Sequence, residues 1–257
     1  MQPIRHTRRL AIRHLRALWR QPAYVAITLV QPVIWLLLFS QLFHRVTDIP
    51  GFTGGSYVSY LAPGVVVMTA LMSAGWSGMS FIDDMERGVM DNLLVSPVWR
   101  GALNAGLLVQ SATITLIQST VIIGLALAIG ARFHGGAAGI AVMLLVAVLL
   151  SCSISALSNG FSLLVRQRES LIGMVTFISL PLAFLSTIFM ERALLPSWIR
   201  DASRYNPVDW ASVAARTASS SQIDWGVVAP RIGLLALLAA VCMTLATMAF
   251  RTYARSM

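Results

Sequence analysis

The sequence predicts an all-α, polytopic membrane protein: six transmembrane helices, an N-terminal amphipathic surface helix and one short cytoplasmic helix between spans. Three observations carry the prediction. The 257 residues are 57% hydrophobic and only 11% charged, against roughly 25% charged in ordinary soluble domains. The apolar residues gather in six long blocks, at about 24–43, 57–82, 102–131, 137–165, 171–190 and 227–250. Each block reaches the ~20 residues that cross ~30 Å of hydrocarbon at about 1.5 Å per residue. None alternates as a strand would, and in lipid only helices and closed barrels satisfy their own backbone. Residues 1–257 therefore read as a single transmembrane domain.

Residues 4–20 form a helix ahead of the first block. At about 100° per residue, Arg5, Arg8, Arg9, Arg13, Arg16 and Arg20 fall within an arc of about 140°, with Ile4, Leu10, Leu15 and Leu18 outside it. Such a helix lies on the inner membrane surface with its arginines among lipid headgroups. It serves either as a plain anchor or as an elbow that also touches a soluble partner. Gln21-Pro22 ends it, because proline disfavours helix at the residue before it. The first block is too long for a cleavable leader, and no small-residue cleavage site follows Phe43 before the polar loop.

The arginines orient the spans. With the N-terminus inside, six arginines between Arg5 and Arg20 join Arg87, Arg100, Arg166, Arg168, Arg251 and Arg255 on the cytoplasmic side. The short outer loops hold only Arg45 and Arg132. That asymmetry follows the positive-inside rule and puts both termini in the cytoplasm. The net charge of +9 is thus a topology signal, and nucleic acid is not the expected partner; membrane lipid is. A chain rich in Ala and Arg and lacking lysine fits a GC-rich bacterial genome. Cys152 and Cys242 lie within apolar blocks, as small buried residues and not a disulfide. His6, His14, His44 and His134 do not cluster, so no metal site is expected.

Polar residues inside the spans form stripes. Ser151, Ser155, Ser158 and Ser162 repeat at helical spacing in the fourth block beside Asn159, and Ser111, Thr115 and Gln118 do so in the third. Ser73, Ser77 and Ser80 share a face of the second, near Met68, Met72 and Met79. Two readings stand: hydrogen-bonding glue between helices, or a weakly polar lining for an amphiphile's path. The path would run along Met68, Met72, Ser73, Met79, Ser155 and Asn159, with methionine as adaptable apolar lining. Gly75, Ser77 and Gly78 would let a second permease subunit, a copy or a sister, approach Met72 closely. No acid or base lies deep in any block, which argues against a proton- or ion-driven carrier. The chain holds no lysine for a nucleotide-binding P-loop. Energy is therefore expected from another polypeptide.

The loop after the second block carries the remaining chemistry. Glu86-Arg87-Gly88-Val89-Met90-Asp91-Asn92-Leu93-Leu94-Val95-Ser96-Pro97 is a charged, amphipathic helical segment. Gly88 permits a sharp start, Asp91 suits the early turns and Pro97 stops it. Val89, Leu93 and Leu94 form an apolar ridge for a groove on a soluble partner, while Asp83, Asp84, Glu86 and Asp91 would be repelled by an anionic leaflet. This segment resembles the cytoplasmic loop after the second span in type-2 ATP-binding-cassette (ABC) exporter permeases, departing at Val89 and Met90, where Thr and Leu are common. Leu195-Pro196-Ser197-Trp198-Ile199 and Asn206-Pro207 resemble the family's outer segment between spans five and six. The whole chain looks most like the daunorubicin-resistance (multidrug efflux) branch of small bacterial permeases.

The resemblance implies a non-catalytic permease subunit in the bacterial plasma membrane, paired with a separate ATPase that binds ATP and Mg. Glu86, Arg87, Gly88, Val89, Asp91, Leu93, Leu94 and Pro97 would be the coupling helix that docks on it. The outer stretch 191–226, apolar and aromatic, is expected to be a re-entrant pair of short helices. The expected cargo is a hydrophobic or amphiphilic drug, antibiotic or lipid. A lipid-linked glycan, or a non-transporting scaffold or sensor paired with an ATPase, are the competing readings.

Overall fold

The computed structural model describes residues 22–42, 56–88 and 100–253, and among these every regular element is a helix. The surface helix expected over residues 4–20 lies outside the described residues. Helix α1 (Pro22–Leu42) opens on a proline, whose missing N–H is no loss in a first turn. The second span is α2 (Tyr57–Gly75), a 3₁₀ turn (Trp76–Gly78) and α3 (Met79–Glu86). The Ser56 side chain caps its start by accepting from the Ser59 N–H. Then come α4 (Arg100–Ala128), α5 (Gly136–Val165), α6 (Arg168–Phe184), the short α7 (Ser197–Ser203) and α8 (Pro207–Ser219), and α9 (Trp225–Tyr253).

Four of these stretches are long and apolar enough to cross a membrane: Tyr57–Glu86, Asn104–Ala128, Gly136–Val165 and Trp225–Phe250. The second span and α5 are the most enclosed, and α9 is the least. Helix α5 is the axle, packed against α9, α2, α8 and α4. The main core joins Leu61, Val66 and Leu71 of α2 to Ile122, Met143, Leu150, Ala215 and Leu235. Outward, Ile27, Leu38, Phe177, Leu237 and Leu245 are largely exposed. An apolar surface of that extent would drive aggregation in water, whereas hydrocarbon accepts it. The fold is a polytopic helical membrane bundle.

Lipid tails are as apolar as leucine, so close packing and hydrogen bonds must hold such helices together. Helix α5 supplies both. Ser151 Oγ pairs with Ser111 at 2.9 Å and accepts from Thr115 at 2.8 Å. Ser155 donates to Ser77 at 2.6 Å, and Asn159 donates to Asn104 at 2.8 Å. At about 0.6 kcal/mol each, these bonds together add a few kcal/mol. Ser158 does more. The 3₁₀ turn of the second span frees its backbone, and the Ser158 hydroxyl donates to the Gly75 carbonyl while accepting from the Gly78 N–H. A Cβ on Gly78 would sit 2.5 Å from the Ser158 carbonyl oxygen, and one on Gly75 would sit 2.7 Å from Val175. The small residues of the second span thus serve contacts within this chain, to α5 and α6.

The fifth span departs from the sequence reading. Its apolar run continues to Met190, but the helix ends at Phe184. The chain from Leu185 to Met190 is irregular and yet buried at Ser186, Thr187 and Ile188. Hydropathy cannot register this ending, because tertiary partners create it. Those partners form a latch around the segment.

Gly78→Ala is expected to lower stability in detergent by about 1–3 kcal/mol, because the backbone of α5 must retreat. Gly233→Ala, whose added Cβ meets nothing within 4 Å, should be neutral or stabilise by about 0.5–1 kcal/mol. Thermal unfolding of the two variants checks the contrast, and equal melting temperatures would contradict it.

Candidate functional site

At mid-depth three helix faces meet. Thr28, Gln31, Pro32 and Trp35 lie on one face of α1, while Val65, Met68, Thr69, Met72, Ser73 and Trp76 lie on one face of the second span. Ile114 and Gln118 of α4 close the third side. Between them lies a groove with a cavity volume of about 110 Å³. Pro32 cannot donate to the Thr28 carbonyl, which loosens α1 where it borders the groove. Gln118 Nε2 donates to Thr28 Oγ1 at 2.9 Å, tying α4 to α1 across it. A second, inner compartment shares Ser73, Trp76 and Ile114 with the first and continues along Ser77, Ser80, Leu107, Gln110 and Ser111.

At the Glu86 end of the second span an ionic clamp holds it. Arg166 adopts a left-handed backbone, φ 58°, and with Gln167 forms a two-residue link from α5 to α6. That tight link brings Arg168 against α3. Its Nε donates to Glu86 Oε1 at 2.8 Å and its Nη2 to Glu86 Oε2 at 2.6 Å, with Asp83 taking a further bond from Nη2. Exposed pairs of this kind add little stability, but the bidentate fork fixes geometry. Gly88, at φ +66°, then turns the chain away where a side chain would be strained.

At the opposite end of the bundle a latch holds the irregular segment 185–190. Asn206 Nδ2 donates to the carbonyls of Leu182 and Leu185 at 2.7 and 2.8 Å, while its Oδ1 caps α8 through the Val208 N–H. Buried Asp209 accepts from the Thr187 N–H and hydroxyl at 2.9 and 2.6 Å. Tyr60 donates to the Thr187 carbonyl at 3.1 Å. Arg216 donates to the carbonyls of Ile188 and Tyr60 and lies 3.8 Å over the Tyr60 ring. Irregular backbone at membrane depth persists only when sealed in this way. Beyond the latch, exposed Trp198, Tyr205 and Trp225 suit the outer membrane interface.

Met68, Met72 and Ser73 thus line the groove. Met79 packs instead against Ile82, Leu171 and Val175. Ser155 and Asn159 are fully buried in the contacts of α5 with Ser77 and Asn104. Glu86 is clamped by Arg168, and Arg87 is exposed beside it. Val89, Asp91, Leu93, Leu94 and Pro97 lie outside the described residues. Arg168 entered the sequence reading only as a topology charge, and Trp35 and Trp76 gave no signal there. Gln118 did, as the outermost member of the polar stripe in the third block. No group of His, Cys, Asp and Glu among the described residues could hold a metal ion.

An all-helical membrane bundle with a groove between three helices suits a transport protein, and the chain's relatives name the class. The chain belongs to the ABC-2 type transporter family, whose profile matches residues 5–218. Membership makes it a membrane-spanning transport permease, and the family implies a partner subunit that binds ATP. Similar proteins include the daunorubicin resistance ABC transporter permease protein DrrB1 of Streptomyces coeruleorubidus, 28% identical over 79% of this chain and 73% of that one. The probable doxorubicin resistance ABC transporter permease protein DrrC of Mycobacterium tuberculosis is 23% identical over 85% of this chain and 77% of its own. The inner membrane transport permease YadH of Escherichia coli is 28% identical over 70% and 71%.

Asn206→Ala should destabilise the protein by about 1–3 kcal/mol, since it strips a cap and two carbonyl bonds. Asn206→Ser keeps a capping oxygen without reaching those carbonyls and should fall between. Melting temperatures in detergent rank the three proteins, and a serine variant as stable as wild type would mean the carbonyl bonds carry nothing.

Proposed function

We propose that the chain is the membrane-spanning subunit of an ATP-driven exporter that moves a hydrophobic or amphiphilic compound outward from the cytoplasm or inner leaflet. The observation that carries this reading is the groove at mid-depth, where Met68, Met72 and two tryptophans surround a few uncharged polar groups. Adaptable sulfur and aromatic surfaces take apolar cargo of varied shape. Two similar proteins are named for daunorubicin and doxorubicin resistance, which agrees with amphiphilic cargo.

ATP and Mg are held by the partner ATPase, on which the segment 86–97 docks through Val89, Leu93 and Leu94. The Arg168 clamp on Glu86 sets where that segment leaves the membrane. Two permease subunits, identical or sister chains, enclose the route, and the complex sits in a bacterial plasma membrane with both termini inside.

Replacing Leu93 and Leu94 together with Asp should abolish co-purification with the ATPase while the chain still inserts, because a modest interface tolerates no buried charge. Undiminished co-purification would remove the docking assignment. Met72→Trp should lower transport into vesicles at least tenfold by filling the groove, with the ATPase still bound. Normal transport by this variant would show that the groove is not on the route.

A further inference from the structure

The two compartments form one trough, since Ser73, Trp76 and Ile114 line both. From Val65 to Ser80 it follows the second span for about 22 Å, most of the ~30 Å hydrocarbon. Its polar groups are regularly placed. Thr69, Ser73, Ser77 and Ser80 descend one wall at helical spacing, and Gln118 and Gln110 stand two turns apart on the other. Among the described residues, neither compartment is lined by an acidic or basic side chain.

Helix glue accounts for part of this pattern: Ser77 accepts from Ser155, Ser111 pairs with Ser151, and Gln118 donates to Thr28. The hydroxyls used as glue, Ser151, Ser155 and Ser158, face between helices and are matched there. In the trough Ser73 Oγ and Gln118 Oε1 are buried without a partner. An unmatched polar group in hydrocarbon costs free energy, and a hydroxyl or amide of a bound molecule would answer both. Apolar Met68, Met72 and Leu107 stand between the polar rungs. Exposed Val30 and Ile34 of α1 and Ile117 and Val121 of α4 place hydrocarbon beside the trough.

Resting on the exporter reading, we propose that the trough is a ladder for the polar head of a lipid-like amphiphile whose tail stays in the bilayer. The head is uncharged and rich in hydroxyl or amide groups. Hydrogen bonds to Ser73 and Gln118 match such a head, whereas a phosphate would find no cation and an ammonium no carboxylate. Gln110 and Ser80 form the inner rungs, where a head leaving the cytoplasmic leaflet first meets protein.

The test has two arms. In the first, the permease is purified in detergent with a monoglycosyl diacylglycerol and with phosphatidylglycerol of the same acyl chains, and retained lipid is read by native mass spectrometry without ATP. The expected result is retention of the neutral glycolipid at least tenfold above the anionic lipid, lost at least tenfold in Gln110→Leu/Gln118→Leu. That variant is more lipophilic than wild type, and its melting temperature shows that it folds. Equal retention of both lipids, or unchanged retention by the variant, overturns the ladder. In the second arm the permease and its ATPase are reconstituted in vesicles, and ATP-dependent movement of a fluorescent-tailed glycolipid is followed. Movement by wild type that falls at least tenfold in the variant supports the ladder as the route. Retention in the first arm without ATP-dependent movement leaves the binding site standing and sinks the exporter reading.

Discussion

Hydrocarbon offers backbone groups no partner, and the two breaks within the described spans are arranged around that constraint. The second span breaks at Trp76–Gly78, and one hydroxyl, Ser158, both donates and accepts across the break. The fifth span unwinds after Phe184, and Asn206, Asp209, Tyr60 and Arg216 engage the exposed strand of carbonyls and N–H groups. Both repairs come from helices distant in sequence. The positions of α5 and α8 are therefore fixed by the irregularities they seal, as well as by the core they share with α2.

Charge is placed by the same economy. The half-buried Arg216 lies between Tyr60 and the carbonyls of the latch, at one end of the bundle. Arg168, Asp83 and Glu86 occupy the other end, where water screens them. The groove between these ends carries amides, hydroxyls and methionines instead. Ionic chemistry thus fixes the ends, and neutral chemistry serves the middle.

Much of this was legible in the residues, and the rest was hidden for physical reasons. Hydropathy integrates over many positions, so the apolar blocks emerge clearly and the helices Gly136–Val165 and Trp225–Tyr253 lie close to the blocks read at 137–165 and 227–250. The end of the fifth helix at Phe184 was not legible, because Leu185 to Met190 are as apolar as a helix and only Asn206 and Arg216 reveal their conformation. Met68, Met72 and Ser73 share a face by helical period alone, which placed them together. Gln31 and Trp35 join them only through the register between α1 and α2, which no local pattern encodes. Arg168 meets Glu86 across 82 residues of chain, so it could be counted as a topology charge but not seen as a clamp. The serine stripe of α5 was visible as a stripe, with its purpose open; the hydrogen bonds of Ser151, Ser155 and Ser158 place these three between helices.

The break at Trp76–Gly78 also decides which pieces of the protein belong together. Above it, α2 is embedded with α4, α5 and α8. Below it, α3 packs on two helices: Phe81 joins a small core with Leu163 of α5, while Ile82 joins Leu171 and Val175 of α6, to which Arg168 also clamps it. A displacement of α3 would therefore reach α5 and α6 together. Helix α6 ends at Phe184, one residue before the unwound latch. A single stiff second span would tie its end to its own core only; the broken one also ties it to the helix that borders the latch.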